Sequence, residues 1–334
     1  KQAITLNPNF VEAHNNLCII QKELGKLEEA AVTCKRAIVL NPDRTEAHFN
    51  LGVILKEQGK FDEAETSYKH ALALDPNNFN AHSNLGVTLL ELGKLNEAKK
   101  SCKQAIALKP DLAAAHNNLG NVFEKLDRSE DAIASYRKAI LLNPDFAEAH
   151  GNLGLLLEEH GELENAEAAY KKAIALRPEH PEAFNNLGNT LQKLGRLADA
   201  EAAYSQALLL KPGYAECHSN FGYALQRMGG FEEAEAKYRK AIVLDPEYAP
   251  AHSNLLFLSA SMRFEPDRYF DDLQNFANMV EKQQLSAFTH WASNGKQKSL
   301  RVGFVSGDFK AHPVGFFLEG VLNQLRKSSS IELY

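Results

Sequence analysis

No apolar run in the 334-residue chain approaches the roughly 20 residues that a membrane-spanning helix requires. No basic start, apolar middle and small-residue cleavage site marks a secretory leader. Excess positive charge is also missing. Lysine and arginine number 37 against 43 aspartate and glutamate, a net charge of −6, so no basic stripe is available to follow a phosphate backbone and nucleic acid is not an expected partner. A G-x-G-x-x-G fingerprint is absent, which removes the usual dinucleotide site. Cysteine is scarce at four, and tryptophan occurs once.

What is present is a period. Prolines stand at 8, 42, 76, 110, 144, 178, 212 and 246, each 34 residues after the last. Asn16, Asn50, Asn84, Asn118, Asn152, Asn186, Asn220 and Asn254 keep the same step. Thr45 to Asn78 show one unit. Leu51 and Leu55 put an apolar stripe on a first helix, Gly52 allows close approach, and Gly59 supplies a left-handed cap. Ala64, Tyr68, Ala71 and Leu74 form the expected inward stripe of a second helix, which stops before Pro76.

A 34-residue helix-turn-helix period is that of the tetratricopeptide repeat, so the expected fold is an all-α superhelical solenoid. Residues 1–262 make the array. Its full repeats are 11–44, 45–78, 79–112, 113–146, 147–180, 181–214 and 215–248, with a degenerate eighth from 249. The chain opens within a helix and without methionine, and so reads as a piece of a longer protein. Asp127 takes the place of a capping glycine, a change that a short polar side chain tolerates. With Ser129 where leucine or phenylalanine packs elsewhere, that junction is expected to be the loosest.

Cys34 and Cys102 occupy the repeat position of Tyr68, Cys18 that of Gly52, and Cys217 precedes a repeated histidine. They read as small buried hydrophobes rather than disulfide or zinc ligands, in a reducing cytoplasm. No metal or cofactor is expected. His14, His48, His82, His116, His150, His218 and His252 recur at fixed spacing, with Phe184 replacing the histidine once. They read as packing residues between paired helices, because ligands would have to come from neighbouring repeats.

The asparagines carry the functional expectation. Around Asn50 the helical wheel places Glu46, Val53 and Glu57, outside the internal stripe. First helices line the concave side of such a solenoid, so eight carboxamides are expected to point into one groove. Each offers donors and an acceptor to a passing peptide backbone. Helices packed about 8–10 Å apart and a chain rising roughly 3.3 Å per residue give one asparagine per about three peptide residues. The alternative is that the amides bridge neighbouring helices within the solenoid. Glu23, Glu57, Glu91 and Glu159 share one position with Lys125, Lys193 and Arg227. That mixed charge suggests a broad range of client proteins and lacks a regular carboxylate clamp.

Beyond the array, 263–299 read as a capping helix and linker. Phe270, Leu273, Phe276, Ala277 and Val280 are expected on its packed side, and the adjacent Asp271 and Asp272 on a solvated face. Residues 300–334 read as strand, loop, helix and strand, the start of an open parallel α/β domain whose ligands gather at the strand's carboxyl end. Asp308 and His312 lie in that loop.

The recurring Ala-His-x-Asn-Leu-Gly, followed by Leu300-Arg-Val-Gly-Phe-Val-Ser-Gly-Asp-Phe-Lys-Ala-His-Pro-Val-Gly-Phe-Phe, resembles the O-linked N-acetylglucosamine transferase family and its SPINDLY-type relatives. The resemblance implies a cytoplasmic glycosyltransferase that moves a sugar from a nucleotide donor to serine or threonine of proteins selected by the repeats. It matches His312 to an active-site histidine, acting as base or as orienting group. It also matches the eight asparagines to a ladder that holds the acceptor polypeptide. Phe316 stands where the animal enzymes carry a second histidine, which moves the chain toward the bacterial or SPINDLY-type branch. The donor is therefore open between UDP-GlcNAc and GDP-fucose. On this reading 300–334 begin a truncated catalytic lobe and the piece alone is inactive. The other reading is a non-enzymatic repeat adaptor.

Overall fold

The structure, a computed structural model, describes residues 2–261, 266–284, 300–302 and 331–333. His312 and Asp308 lie outside the described residues. Two compact units divide at Leu210 and Lys211.

In the first unit a short α1 (Gln2–Leu6) precedes helix pairs that recur with the 34-residue step. The pairs are α2 (Val11–Glu23) with α3 (Leu27–Leu40), α4 (Thr45–Glu57) with α5 (Phe61–Leu74), and α6 (Phe79–Glu91) with α7 (Leu95–Leu108). They continue as α8 (Ala113–Lys125) with α9 (Ser129–Leu142), α10 (Ala147–Glu159) with α11 (Leu163–Leu176), and α12 (Pro181–Lys193) with α13 (Leu197–Leu210). The second unit holds α14 (Ala215–Met228), α15 (Phe231–Leu244), α16 (Ala249–Ser261), α17 (Pro266–Gln284) and two short strands.

Close approach within a pair comes from glycine against tyrosine. A Cβ on Gly52 would lie 2.7 Å from the Tyr68 ring, and one on Gly154 would lie 2.9 Å from that of Tyr170. Both tyrosines are fully buried, as are Ala64 and Ala71. Leu74 is 39% exposed, contrary to expectation, because α5 ends there and Pro76 turns the chain away. Gly59 has a φ of 73°, and Asp127 adopts 55° in the same role. Its cap is not loosened: Arg128 N donates to Phe123 O at 2.9 Å, as Lys60 N does to Leu55 O.

Two expectations about cysteine and histidine change. Cys18 and Cys34 form a disulfide across α2 and α3, with Cα atoms 5.6 Å apart. Each takes one side of the glycine-tyrosine contact, so two sulfurs meet where the third repeat sets Gly86 against Cys102 and the repeats of Gly52, Gly120, Gly154 and Gly188 set glycine against a tyrosine ring. With that bond, cysteine usage no longer argues for a reducing compartment. Cys102 and Cys217 remain thiols, and burial pushes each up to about 12. The histidines do more than fill space. Nε2 of His14, His48, His82, His116 and His150 donates to the carbonyl of the proline six residues earlier, at 2.8–3.0 Å. Each strap ties the first turn of a repeat to the end of the preceding one. Phe184 cannot donate, and there His180 caps α12 instead through its Nδ1.

In the second unit His218 and His252 repeat the strap to Pro212 and Pro246. Asp272 is buried and takes a bidentate bond from Arg239 at 2.9 and 2.8 Å, so only Asp271 is left on an exposed face. The buried side of α17 therefore carries Asp272 and Met279, while Phe270 is 67% exposed. Strands β1 (Leu300–Val302) and β2 (Ile331–Leu333) pair in parallel. Among the described residues no helix is long and apolar enough to cross a membrane, and no group of histidine, cysteine and carboxylate side chains has a metal-holding arrangement.

Candidate functional site

The period fixes where each asparagine sits. Asn16, Asn50, Asn84, Asn118, Asn152 and Asn186 stand in the first helices of the first unit, α2 to α12, and Asn220 and Asn254 in α14 and α16 of the second. Asn16 is exposed and the other seven are half-buried.

These amides are tied to the preceding repeat with an offset of 35 rather than 34. Asn50 Nδ2 donates to Asn15 Oδ1 at 3.0 Å, and Asn118 Nδ2 to Ser83 Oγ at 3.0 Å. Asn152 Nδ2 donates to Asn117 Oδ1 at 3.3 Å and also to Asn121 Oδ1 at 3.0 Å. Asn254 Nδ2 reaches Ser219 Oγ at 3.5 Å in the second unit. The geometry is that of stacked helices. One residue is a rotation of about 100°, so the side chain just before each ladder asparagine turns toward the next repeat and meets its amide.

Where that preceding residue has no side-chain oxygen, the pattern changes. Phe49 stands 35 before Asn84, whose Nδ2 turns to Asn80 O in its own helix while its Oδ1 accepts from Lys56 Nζ. Gly151 stands 35 before Asn186, whose Oδ1 accepts from Asn185 Nδ2 at 3.3 Å instead. Among the described residues nothing donates to Oδ1 of Asn50, Asn118, Asn152 or Asn254. Four of the eight, Asn50, Asn118, Asn152 and Asn254, thus commit their donors backward and keep the carbonyl oxygen unengaged, whereas Asn84 and Asn186 do not.

The column just before the ladder (Asn15, Phe49, Ser83, Asn117, Gly151, Asn185 and Ser219) was not singled out by sequence reasoning. Its signal was available, since it is mostly small and polar while lying beside a recurring asparagine. Charge at the other variable position is partly engaged. Lys22 pairs with Glu57 at 3.7 Å and Lys193 with Glu158 at 2.8 Å, again 35 apart. Glu158 also accepts from Thr190 and Tyr170. Burial and this neighbouring carboxylate hold the Tyr170 phenol well above its ordinary range.

The tetratricopeptide-repeat family matches residues 20–59, 54–93 and 88–127, then 117–181, 181–214 and 215–248. The chain is a tetratricopeptide-repeat protein. Its repeats suit it to protein–protein interaction, the general use of such arrays. This repeat protein shares its fold with pilF of Pseudomonas aeruginosa, which is 22% identical over 62% of this chain and 94% of that one, with a TM-score of 0.56. A chain of the APC/C Cut9–Hcn1 hetero-tetramer is 16% identical over 76% of this chain and 50% of its own, with a TM-score of 0.59. MamA is 31% identical over 52% of this chain and 94% of that one, with a TM-score of 0.44. No curated protein is significantly similar to the chain.

Proposed function

We propose that the first-helix face binds extended segments of client proteins through the asparagine row, and that the array is the substrate-selecting arm of a protein O-glycosyltransferase. The unengaged carbonyl oxygens of Asn50, Asn118, Asn152 and Asn254 carry the first part. At these four the carbonyl is free to accept from a peptide N–H without reading side chains, and the backward bonds from Nδ2 hold these amides in place before a client arrives. Asn16, Asn50, Asn84, Asn118, Asn152, Asn186, Asn220 and Asn254 are the binding residues on this reading.

The transferase part is supported by the resemblance around 300–320 and by the parallel pairing of β1 with β2. Parallel strands need a crossover of a dozen or more residues, usually through a helix, and 28 residues separate Val302 from Ile331. His312 is the proposed active-site histidine, with UDP-GlcNAc or GDP-fucose as donor.

The test is sugar transfer by the full-length protein from either donor to a protein mixture and to a short acceptor peptide. Changing Asn84, Asn118, Asn152 and Asn186 together to alanine should weaken protein modification and spare the peptide, and His312→Ala should abolish both. Equal loss on protein and peptide in the quadruple variant would count against the ladder. No transfer from either donor by folded wild type would leave a repeat adaptor.

A further inference from the structure

Beside Gly151 the row is interrupted by a cavity of about 160 Å³ between α10, α11 and α12. Asn152 and Asn186 stand on its two sides, Tyr170 contributes to its wall, and Leu155, Ala173 and Ala183 give it apolar surface. It exists because the fifth repeat has glycine where the others carry a side chain. A Cβ built on Gly151 meets nothing within 4 Å, whereas one on Gly154, a turn later, would collide with Tyr170. The second glycine is therefore required by packing and the first is not.

The chain itself shows what fits. In the second repeat the equivalent position is Phe49, whose ring lies 6.0 Å from that of Tyr68 at a tilt of 55°. This is the separation and tilt that aromatic pairs favour. Tyr170 is the counterpart of Tyr68, three repeats on, and has no such partner from position 151. The volume is close to that of a cavity of about 150 Å³ which takes up benzene in another protein.

We infer that this cavity is an anchor subsite for one aromatic side chain of a bound client segment, whose ring takes in the fifth repeat the place that Phe49 fills in the second. The inference rests on the proposed binding of extended polypeptide along the row, and adds side-chain selection to contacts that otherwise read only backbone. Glu148 accepts from Asn117 and Glu182 lies 3.7 Å from His180, while Arg177 also lines the opening and offers a cation of the kind that aromatic faces attract, so an aromatic ring is preferred over an acidic or aliphatic side chain.

Fluorescein-labelled 15-residue peptides of glycine and serine, carrying one central phenylalanine or alanine, test it by anisotropy on the 334-residue chain. Wild type should bind the phenylalanine peptide roughly tenfold more tightly. Gly151→Phe, which copies Phe49, should bring the ratio to about one while leaving the alanine peptide unaffected. Gly151→Asn, which copies Asn117, narrows the cavity and should also reduce the ratio. Circular dichroism checks that both variants are folded. Equal binding of the two peptides by wild type, or a preference that survives both substitutions, overturns the subsite and leaves the row intact. No binding of either peptide overturns the row as well.

Discussion

Asn118 donates to the hydroxyl of Ser83, 35 residues earlier, at 3.0 Å. That bond makes one side chain answerable both for stacking and for the proposed client contact. The two can be separated because Ser83 is only the inner partner. Ser83→Ala should cost about 0.5–1.5 kcal/mol in urea unfolding, with most of that lost when Asn118→Ala is already present. Client binding should fall modestly with Ser83→Ala, which only loosens the amide, and further with Asn118→Ala, which removes it. A binding defect of the same size in both variants would assign the amide to stacking alone.

Gly151 and Gly154 permit a paired comparison within one helix. Gly151→Ala meets open space and should raise stability by about 0.5–1 kcal/mol, since alanine restricts the unfolded chain and favours helix. Gly154→Ala drives a methyl to 2.9 Å from the fully buried Tyr170 ring and should lower stability by about 1–3 kcal/mol. Thermal melts of the two variants that shift in the same direction would contradict the packing described.

Glu65 is buried between Lys69 at 2.6 Å and Lys94 of the next repeat at 2.7 Å, and Glu167 sits likewise between Lys171 and Arg196. Hydrogen bonds from these cations hold both carboxyls below the ordinary value of 4.5. The folded chain therefore keeps these groups ionised where the unfolded chain binds protons. Their contribution is full above about pH 4.5 and is lost as pH falls through the depressed folded value. Stability measured from pH 7 to pH 3 should decline mainly below pH 4.5, and less steeply in Glu65→Gln with Glu167→Gln. An unchanged slope in the double variant would remove these pairs from the acid limb.

Sequence made the solenoid legible because its devices are local. Pro42, Gly59 and the Leu51, Leu55 stripe each declare a helix end or face within a few residues. Asp127 was readable for the same reason. What escaped depends on two repeats at once. The 35-residue link from Asn152 to Asn117 and the buried pair of Arg239 with Asp272 require the stacking geometry before either partner has meaning. Cys18 and Cys34 were each placed correctly in the repeat, yet read one at a time, so their meeting across the glycine-tyrosine contact was missed. The histidines were assigned to packing from their interchange with Phe184, whereas the bond to the proline carbonyl needs the path of the turn.

The histidine straps and the asparagine links also respond differently to gain or loss of whole repeats. A strap such as His48 to Pro42 spans six residues and would survive any change made in steps of 34. A ladder link records which repeat stands behind it. Excision of 79–112 would set Asn118 against Phe49, exchanging a hydroxyl for a ring, and duplication of 147–180 would create a second vacancy beside a tyrosine. The array can thus change length without losing its fold, while each change rewrites the order of amide links and cavities presented to a bound chain.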